Sequence, residues 1–488
     1  MAEELKSQAV RGVAWSMIET YSGQIVQFVI SIVLARLLTP SEFGLIGMLA
    51  IFMGLSGVFI DGGFSSALIQ RKDRTQQDLS TVFIINTLMA VLIYVILFFS
   101  APLIADFYKQ PELTQIVRVY GLTLIIGSLG STSSVQLTIK LDFRTTTKIS
   151  LLSAVVSGIA GIVMALAGFG VWALVYQSII STVLRILLLF LYVKWIPRTG
   201  FSKDSFKRLF SFSSKLFIAS IISSVYDNIT GVVIGKQFNS AALAYYNRAY
   251  SFNSLINSNV TSVLGKVSYP LLSQIQDDTN RLKGIYKKYI QMSAFFTFPA
   301  LMLLCAMAKP LIMALLGPKW ESTIILLQVL SFGVMTDGVI VSNLNLIRVR
   351  GRSDVILKLE ILKKTIAFII LAISIMMNSI LAICIGKAIY GCIIALYLNT
   401  LYTKKLFNYG FTEQFREYSP YLLISFAMLT LGLIISYLIS NPWLALSVGI
   451  PTCTAFYLFI CAKLNLYAYN ETIKIVLPSL RCLTHKFQ

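Results

Sequence analysis

Long apolar runs follow one another almost from end to end of this 488-residue chain, separated by short polar connections. A helix needs about 20 mostly apolar residues to cross a hydrocarbon core of about 30 Å. Walking the runs gives candidate helices starting near Val13, Phe43, Thr81, Gln115, Ile149, Val171, Ser214, Ala241, Tyr289, Thr323, Ile356, Ile380, Tyr421 and Trp443. No stretch between them is long enough for a separate soluble domain. Only 13% of residues are charged and mean hydropathy is +0.77, whereas soluble domains carry about 25% charged residues. A water-soluble globular fold is therefore excluded. A closed barrel would need alternating segments of about ten residues, and these runs are continuous. The expected class is an all-α polytopic membrane protein of about 14 transmembrane helices.

The same pattern removes several chemistries. Cys305, Cys384, Cys392, Cys453, Cys461 and Cys482 lie mostly inside apolar runs without metal-ligand spacing, so they read as packing residues. The sole histidine, His485, sits three residues from the C-terminus. That takes the usual proton shuttle and metal ligand out of the interior. No metal, cofactor or catalytic residue is expected. Met1 to Arg11 is polar, and the next run carries Glu19, Gln24 and Gln27 without a small-residue cleavage site, so the first helix is expected to stay.

A net charge of +20 would suit a nucleic-acid binder, but the basic residues punctuate spans and form no patch on a folded domain. Most of the 41 Lys and Arg residues fall on the side of both termini, among them Arg71, Lys72, Arg74, Lys203, Lys207 and Arg208. By the positive-inside rule both termini are expected in the cytoplasm. The basic connection KWIPRTGFSKDSFKRLFSFSSK, Lys194 to Lys215, mixes Phe and Leu with Lys and Arg in the manner of an interfacial helix on an anionic leaflet. It divides six helices from eight. At an offset of 200, VLARLLTPSEFGLIG (Val33 to Gly47) lies over VIGKQFNSAALAYYN (Val233 to Asn247), which suggests that helices 1 to 6 repeat as 7 to 12. The expected organisation is a six-helix lobe at 1–195, an amphipathic basic connector at 196–213, a second lobe at 214–405, and two extra helices with a tail at 406–488.

LARLLTPSEFGLIGMLAIFMGLSGVFIDGGFSSALIQRKD (Leu34 to Asp73), KLDFRTTTKISLLSAVVSGIAGIVMALAGFGVWALVYQ (Lys140 to Gln177) and NLIRVRGRSDVILKLEILKK (Asn345 to Lys364) resemble Wzx-type polysaccharide flippases. The likeness is to the colanic acid and exopolysaccharide branch of the multidrug/oligosaccharidyl-lipid/polysaccharide exporter superfamily. It implies two six-helix bundles in a V around a central cavity lined by helices 1, 2, 7 and 8. The implied cargo is an undecaprenyl-pyrophosphate-linked oligosaccharide, moved from the cytoplasmic to the periplasmic leaflet of the bacterial inner membrane by alternating access. The implied pathway is exopolysaccharide, O-antigen, capsule or lipopolysaccharide biosynthesis. Membrane lipids would be partners, the chain would act as a monomer, and a polysaccharide polymerase complex alongside stays open.

Ionisable groups at bilayer depth cost a few kcal/mol each, so they face partners or a wet cavity. Helix 8, AYYNRAYSFNSLINSNVTSVLGKVS, is polar nearly all round and carries a cation near each end. Arg248 and Lys266 could attract the pyrophosphate while Asn253, Asn257 and Asn259 bond sugar hydroxyls. Alternatively the cations snorkel and the amides join helices. On helix 11, Lys363 and Lys364 lie three and four residues from Glu360, leaving surplus positive charge for an anionic headgroup. Asp61, Glu19, Asp227 and Asp337 have no sequence-local basic partner and are candidates for gating or for H+ or Na+ coupling. Tyr245, Tyr246 and Tyr250 could stack on sugar rings. DGGFSS (Asp61 to Ser66) and GFGVW (Gly168 to Trp172) lack the lysine and strand of a phosphate loop and read as close helix approach and a tight turn. Two other functions compete. A multidrug or cation antiporter would favour an acidic cavity, and a membrane polymerase or ligase would need sizeable external loops.

Overall fold

A helix pairs every backbone amide within its own segment, which lipid demands and which the apolar runs allow. The computed structural model describes residues 22–273 and 278–474, apart from the side chains at 262–271, 273, 279 and 353. Glu19, Cys482 and His485 lie outside the described residues, as does the Lys266 side chain. The long helices are α1 (Ser22–Leu37), α2 (Pro40–Asp61), α3 (Gln76–Tyr108), α4 (Leu113–Ser128 and Ser131–Ile139, bent by 44°), α5 (Phe143–Leu166), α6 (Val171–Val193) and α7 (Lys203–Gln237). They continue as α8 (Ser240–Ser273), α9 (Thr279–Ala306), α10 (Thr323–Val349), α11 (Ser353–Met376), α12 (Ile380–Phe407), α13 (Phe411–Leu438) and α14 (Pro442–Lys463). Each expected run coincides with one of them.

Among the described residues, 10 helices are long and apolar enough to cross a membrane, or 11 if bent α4 is one span. The remaining expected helices differ for visible reasons. The described part of α1 is short, α8 is rich in Asn and Ser, and α11 carries Glu360, Lys363 and Lys364 inside its apolar stretch. Several helices begin roughly three turns before their apolar run, because side chains, not lipid, satisfy their first amides. Ser202 accepts from the Ser205 amide to start α7 and Asp278 from the Arg281 amide to start α9. Thr39 with Glu42, and Thr75 with Asp78, form reciprocal capping boxes. α7 is thus one continuous helix from Lys203, and the second half of the basic connection forms its first turns, not a separate interfacial helix. Phe206, Phe210 and buried Leu209 hold those turns against Phe64 and Leu68.

The chain divides into two units, Met1–Ala244 and Tyr245–Gln488. In the first, α7 lies along α2 at backbone distance. A Cβ on Gly63, just past α2, would sit 2.8 Å from the Ser213 carbonyl oxygen of α7, and one on Gly44 would sit 1.8 Å from that of Ser240, the first residue of α8. Gly62 and Gly63, both at positive φ, break the chain after Asp61 and allow that approach. Gly168 and Gly170, also at positive φ, make the tight turn between α5 and α6. Asp78, fully buried, accepts at both carboxylate oxygens from Arg208 Nη2, an ion pair across α3 and α7. In the second unit, α9 packs along α13, and a buried amide network ties four helices. Tyr286 donates to Asn343 Oδ1 at 2.5 Å, Gln414 donates to the same oxygen at 2.9 Å and to Thr403 at 3.0 Å. Cys305, Cys384, Cys453 and Cys461 are buried free thiols, in keeping with a packing role.

Candidate functional site

The second unit brings together several charged side chains that sit inside long helices, among them Asp337, Lys363 and Lys387. α10 is broken at Met335 and Thr336 between Thr323–Val334 and Asp337–Val349. α12 opposite it loosens into a π-turn at Tyr390–Ala395. The two irregularities meet. A Cβ on Gly391 would fall 2.0 Å from the Gly333 carbonyl oxygen, and Thr336 donates to the Gly391 carbonyl at 3.2 Å. Breaks of this kind inside a helix leave backbone groups to be satisfied by neighbours, and they recur at functional sites.

Asp337 opens the second half of α10, where the first-turn amides favour an anion. It accepts a 2.6 Å hydrogen bond from Asn257 Nδ2 on α8 and lies within electrostatic range of Lys363 and Lys387. The Asn257 Oδ1 atom is buried without a hydrogen-bond partner among the described residues. Lys387, one turn before the π-turn, donates to the Tyr246 hydroxyl at 2.7 Å. Its ammonium also stands 4.6 Å from the centroid of the Tyr250 ring. Tyr246 is buried and Tyr250 is 45% exposed, and their rings stack with centroids 6.2 Å apart. The exposed face of Tyr250 therefore extends a cation–π platform outward from Lys387.

The other expected residues fall as follows. Arg248 stands 5.2 Å over the ring of fully buried Trp320, which Tyr245 meets edge-on. Asn253, 1% exposed, joins α8 to α10, donating to the Leu327 carbonyl and accepting from Ser331 at 2.8 Å. Asn259 donates to the Leu255 carbonyl of its own helix. The three amides do not form one row, because Asn253 and Asn257 both face α10. Lys363 is 6% exposed and ion-paired with Glu360, while Lys364 is half-buried. In the first unit, Asp61 accepts from the Gly63 amide at 3.2 Å and from the Ser65 hydroxyl, so its carboxylate caps the glycine turn. Asp227 is exposed on α7.

Sequence reasoning passed over Lys387 as a site residue. The signal was present: a lone lysine inside the apolar run ILAICIGKAIYGCIIALYL is costly in lipid and so points to a partner or a cavity. What it met, Tyr246 on a helix 141 residues earlier, was not readable from that run.

The polysaccharide biosynthesis protein family matches residues 33–325 of the chain. The chain is 27% identical over 352 residues to the teichuronic acid biosynthesis protein TuaB of Bacillus subtilis, covering 72% of this chain and 73% of that one. It is 26% identical over 367 residues to the lipopolysaccharide biosynthesis protein WzxC of Escherichia coli, covering 74% of this chain and 73% of its relative. In fold it is similar to the lipid II flippase MurJ in an inward closed conformation. The TM-score is 0.70 at 18% identity, over 92% of this chain and 99% of the other.

Proposed function

The chain belongs to the polysaccharide biosynthesis protein family, and from that premise we propose that it is a flippase for undecaprenyl-pyrophosphate-linked oligosaccharide repeat units. It moves them from the cytoplasmic to the periplasmic leaflet of a bacterial inner membrane, both termini staying in the cytoplasm. The observation that carries this reading is the cationic cluster of the second unit, Lys387 and Lys363 around Asp337, built on helices of spanning length. A charge at that depth is retained when it meets a charge from outside, and ammonium and guanidinium groups are the natural partners of phosphate oxygens.

The proposed cycle needs no bond chemistry. The headgroup enters from the cytoplasm, the pyrophosphate is held by cations, the isoprenoid tail remains in the bilayer, and the two related lobes alternate in access. Lys387 and Arg248, each beside an aromatic face, take the phosphate, with Lys266, Lys363 and Lys364 supplementing the positive field. Asp337 with the Asn257 oxygen, unpartnered among the described residues, offers two acceptors for a proton or sodium ion, and binding there neutralises the acid facing Lys363 and Lys387. The transport is thereby coupled to an ion gradient. The names of TuaB and WzxC, both envelope polysaccharide biosynthesis proteins, support the cargo class.

The test is deletion of the gene followed by mass spectrometry of the lipid pool. Accumulation of a complete lipid-linked repeat unit, with loss of the surface polysaccharide, is expected. An unchanged pool with normal polysaccharide overturns the reading.

A further inference from the structure

The first unit encloses a second polar feature, remote in sequence from the lysine cluster. A cavity of about 410 Å³ opens among α1, α2, α4, α5 and α6. Its lining includes Gln27, Tyr120, Ser157, Gln177, Ser178 and Ser181, and among the described residues it contains no charged side chain. Hydroxyls and amides placed inside apolar helices, where each unmet polar group is costly, need a polar occupant. The lack of any cation argues against a phosphate, and the lack of any carboxylate argues against an organic cation.

We propose that this cavity is a binding site for neutral sugar residues of the transported glycan, a reading that rests on the flippase function above. Each argument is chemical. The side-chain amides of Gln27 and Gln177 present a donor and an acceptor together, the complement of two adjacent hydroxyls on a pyranose ring. Ser178 and Ser181 add short, rotatable donor–acceptor groups, whereas the Ser157 hydroxyl donates to the Ala154 carbonyl. Tyr120 supplies a half-buried aromatic face for the C–H face of the ring. The volume lies within the range of small-ligand pockets, so the site takes one or two sugar rings, not a whole repeat unit. Gln177 packs closely on Gly161 of α5: a Cβ there would meet its side chain at 3.0 Å and press the stem of the amide by a few tenths of an ångström.

The proposal predicts binding of a glycan that carries neither phosphate nor lipid. The probe is the oligosaccharide released by mild acid from the lipid-linked pool of cells carrying the gene, offered to the full chain in lipid nanodiscs and read by saturation-transfer NMR. Wild-type protein should bind it. Gln27→Leu with Gln177→Leu, which keep volume, should weaken binding about tenfold, and Ser181→Ala about threefold, as loss of one or two neutral hydrogen bonds each would do. Thermal midpoints of the variants confirm that they fold, and the milder Ser181→Ala keeps the test open should the double variant fail. Absence of glycan signal, equal binding by the variants, or displacement by inorganic pyrophosphate or by sodium ion overturns the assignment. The deletion experiment reads the flippase function separately: precursor accumulation with no glycan binding removes only the sugar site, whereas no accumulation removes the reading beneath it.

Discussion

Asn257 Nδ2 donates to Asp337 Oδ2 at 2.6 Å, joining α8 to the break in α10 with one acid and one amide. If this carboxylate carries the coupling ion, Asp337→Asn should leave the fold intact and remove the dependence of transport on an ion gradient. Flux of lipid-linked glycan in proteoliposomes, with and without imposed proton or sodium gradients, measures this. A variant that still responds to the gradient would exclude Asp337 from coupling. Asp337→Ala should in addition lose stability, by about 1–3 kcal/mol, since the Asn257 amide is then left buried and unmet.

Lys387 bonds Tyr246 and faces the ring of Tyr250. Lys387→Met keeps the stem and deletes the charge, so surface polysaccharide should fall at least about tenfold at equal protein level, as the loss of one charge-assisted phosphate contact implies. Lys387→Arg should retain part of the export. Full export by the methionine variant would assign Lys387 to packing.

Arg248 lies against Trp320, and guanidinium stacking is not reproduced by an ammonium. Arg248→Lys should therefore fall between wild type and Arg248→Ala in export, with protein amounts matched by immunoblot. Equality of all three would take Arg248 out of the cargo path. Pairing Arg248→Ala with Lys266→Ala tests whether the two ends of α8 act together, the double loss exceeding either single one.

Gly44 is closed against the Ser240 carbonyl, whereas nothing stands within 4 Å of a Cβ on Gly57 of the same helix. Gly44→Ala forces α2 and the start of α8 apart and should cost about 1–3 kcal/mol or more, read as a lower thermal midpoint in detergent. Gly57→Ala should be neutral. Equal midpoints for the two variants would show that the approach of α2 to the start of α8 is looser than described.

The Tyr286, Asn343 and Gln414 network is fully buried and hydrogen-bonds α9, α10 and α13 together. Gln414→Leu should destabilise by about 1 kcal/mol through loss of its bonds to Asn343 and Thr403, the Asn343 oxygen keeping the Tyr286 hydroxyl and its amide the Val339 carbonyl. Flux per folded molecule should be unchanged, since neither group belongs to the cationic cluster. A flux defect at normal stability would place this network in the transport pathway.

Much of this was legible in the chain itself. Among the described residues, the apolar runs coincide with helices because a backbone in lipid has no partner outside its own segment, so hydropathy reports where a helix crosses. The glycine runs after Asp61 and before Trp172 were recognisable as turns and close contacts for the same local reason: only glycine takes a positive φ freely. The starts of α7 and α13 were placed late, because their first turns are polar and are stabilised by caps and neighbours that hydropathy does not report.

The roles of the polar residues were decided elsewhere. Asn253 and Asn257 are near neighbours in sequence and alike in chemistry, yet one fastens α8 to α10 and the other serves the Asp337 carboxylate. Lys387 finds its aromatic partners on α8, and Gln177 packs closely on a glycine of α5. Helix formation depends on residues within a turn of one another, and the sequence lists those in order. Whether a buried amide or lysine is satisfied depends on what the packing of distant helices brings within about 3 Å of it, and only the tertiary structure sets that distance.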